Sequence, residues 1–361
     1  MSFPKNDLKS DPTPEALTPG RQVLGRLRSF GWFIIALIYF FLAREVAVIA
    51  ANGLSSGVWF DLVDRAILLF LFIVGFAAMG YIGQHQGQPI KAMGLNLRPG
   101  GRKEFATGAA LGWAGATVCA LVIAIFGGLV VVFYLGWRQF GLIPLDLAIL
   151  LIASLAEEVA FRGYPFQRLI EATTPLTATL ILSALYALLH VGNPGSSPAS
   201  FVVTMLAGWL FSIAYLRTRA LWIGWGIHFA WNAGLAVLFG LPLSGITRFS
   251  PVITSTALGP TWLTGFDYGP EGSALGIIVV IGLIIATMYS TRDLSYKYAQ
   301  PVIIPGGIPV DIDAISRRQH EAAMGPSQPA PPQIVQINGV QPQPEKSIAT
   351  EASNPPENRP E

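Results

Sequence analysis

Eight apolar stretches, each close to the length a helix needs to cross a ~30 Å hydrocarbon core, constrain this chain more than anything else in it. They run over residues 29–50, 63–82, 105–134, 144–164, 175–192, 198–217, 220–241 and 273–291. The third is long enough to tilt, or to break at Gly127-Gly128. Without water at that depth, backbone N–H and C=O groups must pair within each segment. The expectation is therefore an all-α fold, a polytopic membrane helix bundle of about eight transmembrane helices. Charge is too sparse for the alternative: 12% charged residues against 52% hydrophobic ones cannot cover a soluble domain of 361 residues.

Basic residues give the orientation. Lys5, Lys9, Arg21, Arg26 and Arg28 precede the first stretch, and Lys91, Arg98, Arg102 and Lys103 follow the second. Arg162 and Arg168 follow the fourth, Arg217 and Arg219 the sixth, Arg292 and Lys297 the eighth. The other connections hold only Arg65, Arg138 and Arg248, all close to span ends. Basic residues mark the cytoplasmic side, so the expectation is a multi-pass protein of the cell inner membrane with both termini cytoplasmic. The division is a cytoplasmic segment at 1–28, a membrane domain at 29–299 and a cytoplasmic tail at 300–361. The tail, with runs such as Pro329-Ala330-Pro331-Pro332-Gln333, has too little apolar surface to offset the cost of ordering. The net charge of +2 with no strongly basic face points away from nucleic acid. The single cysteine, Cys119, excludes an internal disulfide framework and a Cys-based zinc cluster.

Ionisable groups inside a span are costly and need a partner or a wet cavity. Three places carry them: Glu157-Glu158-Val159-Ala160-Phe161-Arg162 in the fourth stretch, Tyr186 to His190 in the fifth, and His228 to Asn232 in the seventh. Glu158 and Arg162 are four apart, share a helix face and can pair. Glu157 is rotated by ~100° and is free to point elsewhere. His228 and Asn232 are also four apart and project together, which suits two donors aimed at one oxygen. Gly163 and Pro165 should end or kink the fourth helix, because Pro165 clashes with the carbonyl of Phe161.

Each of these features has a plain reading when taken singly. A membrane His or Asn is commonly interhelical glue, and a Glu pair with Arg four on is commonly a structural ion-pair cluster. Tyr186 reads as a packing aromatic, His85 as a loop residue, and Arg44-Glu45 as snorkelling at a span end. The Gly265–Gly272 loop reads as turns, with Glu271 unexplained. Taken together, three helices bringing a Glu, a His and a His/Asn pair favour chemistry over glue.

The ordered set Glu157-Glu158-x-x-x-Arg162, an aromatic-x-x-x-His190 and His228-x-x-x-Asn232 resembles the CPBP family of intramembrane proteases. That family includes the CAAX prenyl endopeptidases and bacteriocin-processing or self-immunity proteins. The resemblance covers roughly residues 100–240, and Tyr186 stands where the family usually has Phe. It implies an intramembrane endopeptidase acting on a membrane-associated protein or peptide, prenylated in one branch of the family. Glu157 and His190 would hold and activate a water, His228 and Asn232 would form the oxyanion hole, and Glu158 and Arg162 would support them. It also implies a mid-depth site opening toward the cytoplasm. Zinc is an optional cofactor, with Glu157, His190 and His228 as ligands and the protein then a metalloprotease; no His-Glu-x-x-His run is present. A non-catalytic scaffold or immunity protein and an ion-coupled transporter are the competing readings; no inverted repeat favours the transporter.

Overall fold

The computed structural model describes residues 19–249 and 252–292, and the backbone of 302–303 and 309–310. Most of the expected 1–28 segment and nearly all of the 300–361 tail lie outside the described residues. Within that tail, Val302–Ile303 pairs antiparallel with Pro309–Val310.

All eight apolar stretches are helical over most of their length. The helices are α1 (Pro19–Leu54), α2 (Phe60–Gln84), α3 (Gly101–Phe126), α4 (Trp137–Arg162), the short α5 (Tyr164–Ala172), α6 (Pro175–His190), α7 (Pro198–Thr218), α8 (Trp222–Ala233) and α9 (Ala274–Ser290). Five segments are long and apolar enough to span a bilayer by themselves, the α4–α5 run counting as one. Helices α6 and α9 are shorter apolar helices, and α8 is extended by a π-helical turn over Gly234–Leu238. Large side chains such as Ile38, Leu42, Phe70, Leu121 and Ile285 are exposed along the spans, as lipid-facing residues must be. The protein is an all-α, multi-pass membrane bundle.

Two boundaries differ from the sequence expectation. The first helix begins at Pro19 rather than near residue 29. The third stretch does break at Gly127-Gly128, but its remainder forms a strand, β1 (Leu129–Phe133), paired antiparallel with β2 (Ile253–Ala257). Gly128 takes φ +79°, a turn that side chains resist, and the Val130-Val131-Val132 run suits a pleated ribbon. Apolarity alone does not separate such a strand from a helix end. The break near Pro165 is as expected: α4 stops at Arg162, and Pro165 sits in the first turn of α5, where its missing N–H costs nothing.

Small residues set the tightest helix contact. Cβ atoms placed on Gly108 and Gly112 of α3 would run into the carbonyl oxygens of Ile223 and Ile227 on α8, and one on Gly226 would strike that of Phe105. Lipid tails are as apolar as leucine, so this approach gains from close van der Waals fit rather than from expelling water. It fixes α8, and hence His228 and Asn232, against α3.

Two apolar clusters flank the centre. One gathers Ala116, Ile123, Ile149, Leu150, Ile227 and Leu283; the other gathers Phe72, Phe76, Val159, Phe161, Tyr164 and Tyr186. Helix α4 contributes to both, and Glu157 and Glu158 lie where it passes from one to the other. Replacing Gly112 by Leu should therefore lower the melting temperature of the detergent-purified protein or abolish its folded yield. Gly282→Ala, with open space at its Cβ position, should leave both unchanged in the same size-exclusion and thermal-melt assay.

Candidate active site

The two adjacent glutamates of α4 point to different neighbours. Glu158 is 1% exposed and accepts a hydrogen bond from His228 Nδ1 at 3.0 Å. Arg162 Nη1 stands 3.7 Å from the same carboxylate oxygen, so the expected i,i+4 pair forms, but the closer partner is the histidine on α8. Gly224 leaves room for this reach, since a Cβ there would press on Glu158 Oε2 at 3.2 Å. Arg162 is itself 1% exposed; its Nη2 donates to the Gly208 carbonyl at 3.0 Å, and its guanidinium lies 5.0 Å from the Tyr186 ring and 5.1 Å from that of Phe211. Glu158 and Arg162 are thus both buried, with Glu158 between Arg162 and His228.

Glu157 faces a cavity. Its side chain is 35% exposed, its Oε2 accepts from the Tyr186 hydroxyl at 2.9 Å, and the same oxygen lies 3.7 Å from His228 Nε2. The last separation is too long for a direct hydrogen bond. A carboxylate held by Arg162 only accepts, so His228 Nδ1 carries a proton and Nε2 is turned toward Glu157. Stacking on Phe211, with ring centroids 4.8 Å apart, holds the imidazole in that plane.

The same cavity is lined by His190 and Asn232. His190 Nδ1 donates to the Tyr186 carbonyl at 2.8 Å, leaving Nε2 as an acceptor, and its ring lies 4.6 Å from that of Tyr186. No hydrogen bond joins His190 to Glu157 or His228 among the described residues. Asn232 makes no hydrogen bond to another described residue, so its amide is available to whatever enters. Glu157, His190, His228 and Asn232 therefore meet at one cavity, despite the different depths that counting along their helices suggests. The cavity offers about 130 Å³, several times the roughly 10–15 Å³ that one water needs by the same measure, so it can hold several waters beside Glu157.

Two contributors were not legible as such. Tyr186, read as packing, gives its hydroxyl to Glu157; its tyrosine-for-phenylalanine departure was the available signal. Glu271, unexplained in sequence, accepts from Trp231 Nε1 at 2.9 Å and from the Ser244 backbone N–H and hydroxyl at 2.7 Å each. It ties the outer connection to α8 one residue from Asn232, and no sequence signal pointed to it. The cavity is also lined by Arg65, Asn193, Ser244 and Arg248.

Among the described residues no group of three or more His, Cys, Asp and Glu side chains is placed to hold a metal ion. A metalloprotease is not supported by this arrangement.

A multi-pass helical membrane protein with carboxylate, imidazole and amide groups facing one buried cavity is the class that fold and site define. Residues 139–234 match the family model of the Type II CAAX prenyl endopeptidase Rce1-like proteins, in agreement with the resemblance carried by the motifs. The matched segment contains Glu157, Glu158, Arg162, Tyr186, His190, His228 and Asn232. In general terms it supports a protease, a hydrolase acting on a protein or peptide within the membrane. No curated protein and no solved structure matches the chain.

Removing Arg162 would leave Glu158 buried with only the histidine. Arg162→Met should destabilise the protein by about 3 kcal/mol or more. Glu157→Gln, whose side chain faces the cavity, should change stability by less than about 1 kcal/mol. Denaturant unfolding of both variants in one detergent checks the division between a supporting and a chemical glutamate.

Proposed function

We propose that this protein is an intramembrane endopeptidase that hydrolyses a peptide bond of a membrane-associated protein or peptide with a water activated by Glu157. The observation carrying this reading is the 3.7 Å gap between Glu157 Oε2 and His228 Nε2 at the cavity wall, wide enough for one water to touch both. Glu157 takes a proton from that water, and the hydroxide attacks the scissile carbonyl carbon. His190, with Nε2 left as an acceptor, helps to hold the water.

Charge then develops on the carbonyl oxygen. The free Asn232 amide and His228 are the donors for it, His228 in its doubly protonated form with Nδ1–H on Glu158 and Nε2–H on the oxyanion. Glu157 and Glu158 flank that ring on its two nitrogen sides. The proton held by Glu157 passes to the leaving amine, which balances the reaction and restores the carboxylate. Tyr186 fixes the rotamer of Glu157 throughout. A prenyl-bearing substrate is the form that the family's name suggests, and the protein would lie in an inner membrane with both termini in the cytoplasm.

N-terminal sequencing of the membrane proteome from cells carrying wild type or Glu157→Gln tests this. Termini present with wild type should vanish with the variant, while the protein stays inserted; no changed terminus would sink the reading and favour a scaffold. Against an identified substrate, Asn232→Ala should lose about 10²–10³-fold in kcat, as for other single oxyanion donors. Tyr186→Phe should lose much less, about tenfold, because Glu157 keeps its place on α4.

A further inference from the structure

Cations are scarce at the span ends and connections away from the basic clusters: Arg44, Arg65, Arg138 and Arg248 are the ones among the described residues. Two of the four, Arg65 and Arg248, line the cavity that holds Glu157. A random scatter along long helix ends and connections gives no reason for that convergence.

Their pairing differs. Arg248 is more than half exposed, lies over the Phe249 ring and has its Nη2 on Asp61 at 2.9 Å, so it is a rim residue with its charge largely matched. Arg65 is less exposed, and its closest approach to a carboxylate is Nε to Asp64 Oδ2 at 3.6 Å. That one oxygen is shared with Arg44 at 3.5 Å. The two terminal nitrogens of Arg65 make no hydrogen bond to another described residue, and its distance to Asp64 is beyond hydrogen-bond range. The other acids of this region do not claim them: Glu157 is held by Tyr186, Glu271 by Trp231 and Ser244, and Asp61 by Arg248. Asp146, which lies near Arg248, forms no ion pair with Arg65 either. A planar fork at the cavity wall, always charged and with no hydrogen bond to its outer nitrogens, matches a carboxylate in geometry and charge.

We propose that Arg65 is the carboxylate-binding subsite of this cavity and anchors an anionic group of the peptide, its C-terminal carboxylate or an acidic side chain. Arg248 at the rim draws that group inward. The inference rests on the endopeptidase reading for its substrate, but the anchor itself is a binding property. Anchoring an end of the peptide positions the scissile bond against Glu157 without adding a group to the chemistry. The Arg65 charge also reaches Glu157 across the cavity, so a loss of activity in an Arg65 variant is not sufficient proof. The test must separate anion recognition from turnover.

Three fluorescein-labelled pools of randomised apolar decapeptides serve as probes: free C-terminal carboxylate, C-terminal amide, and amide with one internal Glu. Anisotropy against detergent-purified Glu157→Gln protein, which binds without turnover, should show at least tenfold tighter binding for one of the acidic pools than for the neutral amide. Which acidic pool wins distinguishes a terminal carboxylate from a side chain. Adding Arg65→Gln should erase the preference while leaving the neutral amide pool unchanged, and Arg65→Lys should restore part of it. Equal binding of all pools, no binding of any, or an equal loss for all in Arg65→Gln overturns the anchor. Cleavage by wild type is scored separately by mass spectrometry. An intact anion preference without cleavage would count against the endopeptidase reading alone.

Discussion

The hydrogen bond between Glu158 and His228 joins α4 to α8 in the middle of the bundle, and the rest of the site hangs on it. A carboxylate and an imidazole at that depth cannot be left to lipid; each unpaired polar group there costs several kcal/mol. The pair is therefore fixed once formed, with Arg162 completing the charge and the rings of Tyr186 and Phe211 enclosing the guanidinium. Its geometric consequence is larger than its energetic one. By taking His228 Nδ1, Glu158 aims Nε2 at Glu157, so one glutamate decides what the next can do.

That arrangement needs α8 to come close to α3 and α4. Gly108, Gly112 and Gly226 permit the first approach, and Gly224 permits the second by leaving space for the Glu158 carboxylate. The glycines, the buried charges and the cavity are thus parts of one design. Tight backbone packing supplies rigidity on one side of α8, and an open volume remains on the other. Glu271 adds a second restraint from the outer connection by holding Trp231 and Ser244, so the wall beside Asn232 is fixed from two directions. Groups meant to stabilise developing charge work best when they need not reorganise during the reaction.

Much of this was legible along the chain, because it is encoded locally. Apolar runs of span length, the break before Pro165 and the shared face of Glu158 and Arg162 all follow from helix pitch and backbone chemistry. The meeting of Glu157, His190, His228 and Asn232 was anticipated only from their joint oddity in lipid and from a family pattern, since no spacing within one helix links them. The strand at Leu129–Phe133 escaped for a related reason: a ladder partner at Ile253–Ala257 lies more than a hundred residues away, and apolarity reads the same in a helix.

Hydropathy and the angles within a helix were enough to dictate that this chain enters a membrane, where its spans fall, and that one glutamate of the pair could be shielded while the other stayed free. Tertiary packing was needed to decide that His228, more than Arg162, is the close partner of Glu158, that the Tyr186 hydroxyl holds Glu157, and that Glu271 braces α8. It also placed Arg65 and Arg248 in the wall of the cavity that holds Glu157. The physical reason is that rotation of one helix about its axis relative to another is set by side-chain packing between them. That quantity has no local signature in either helix alone.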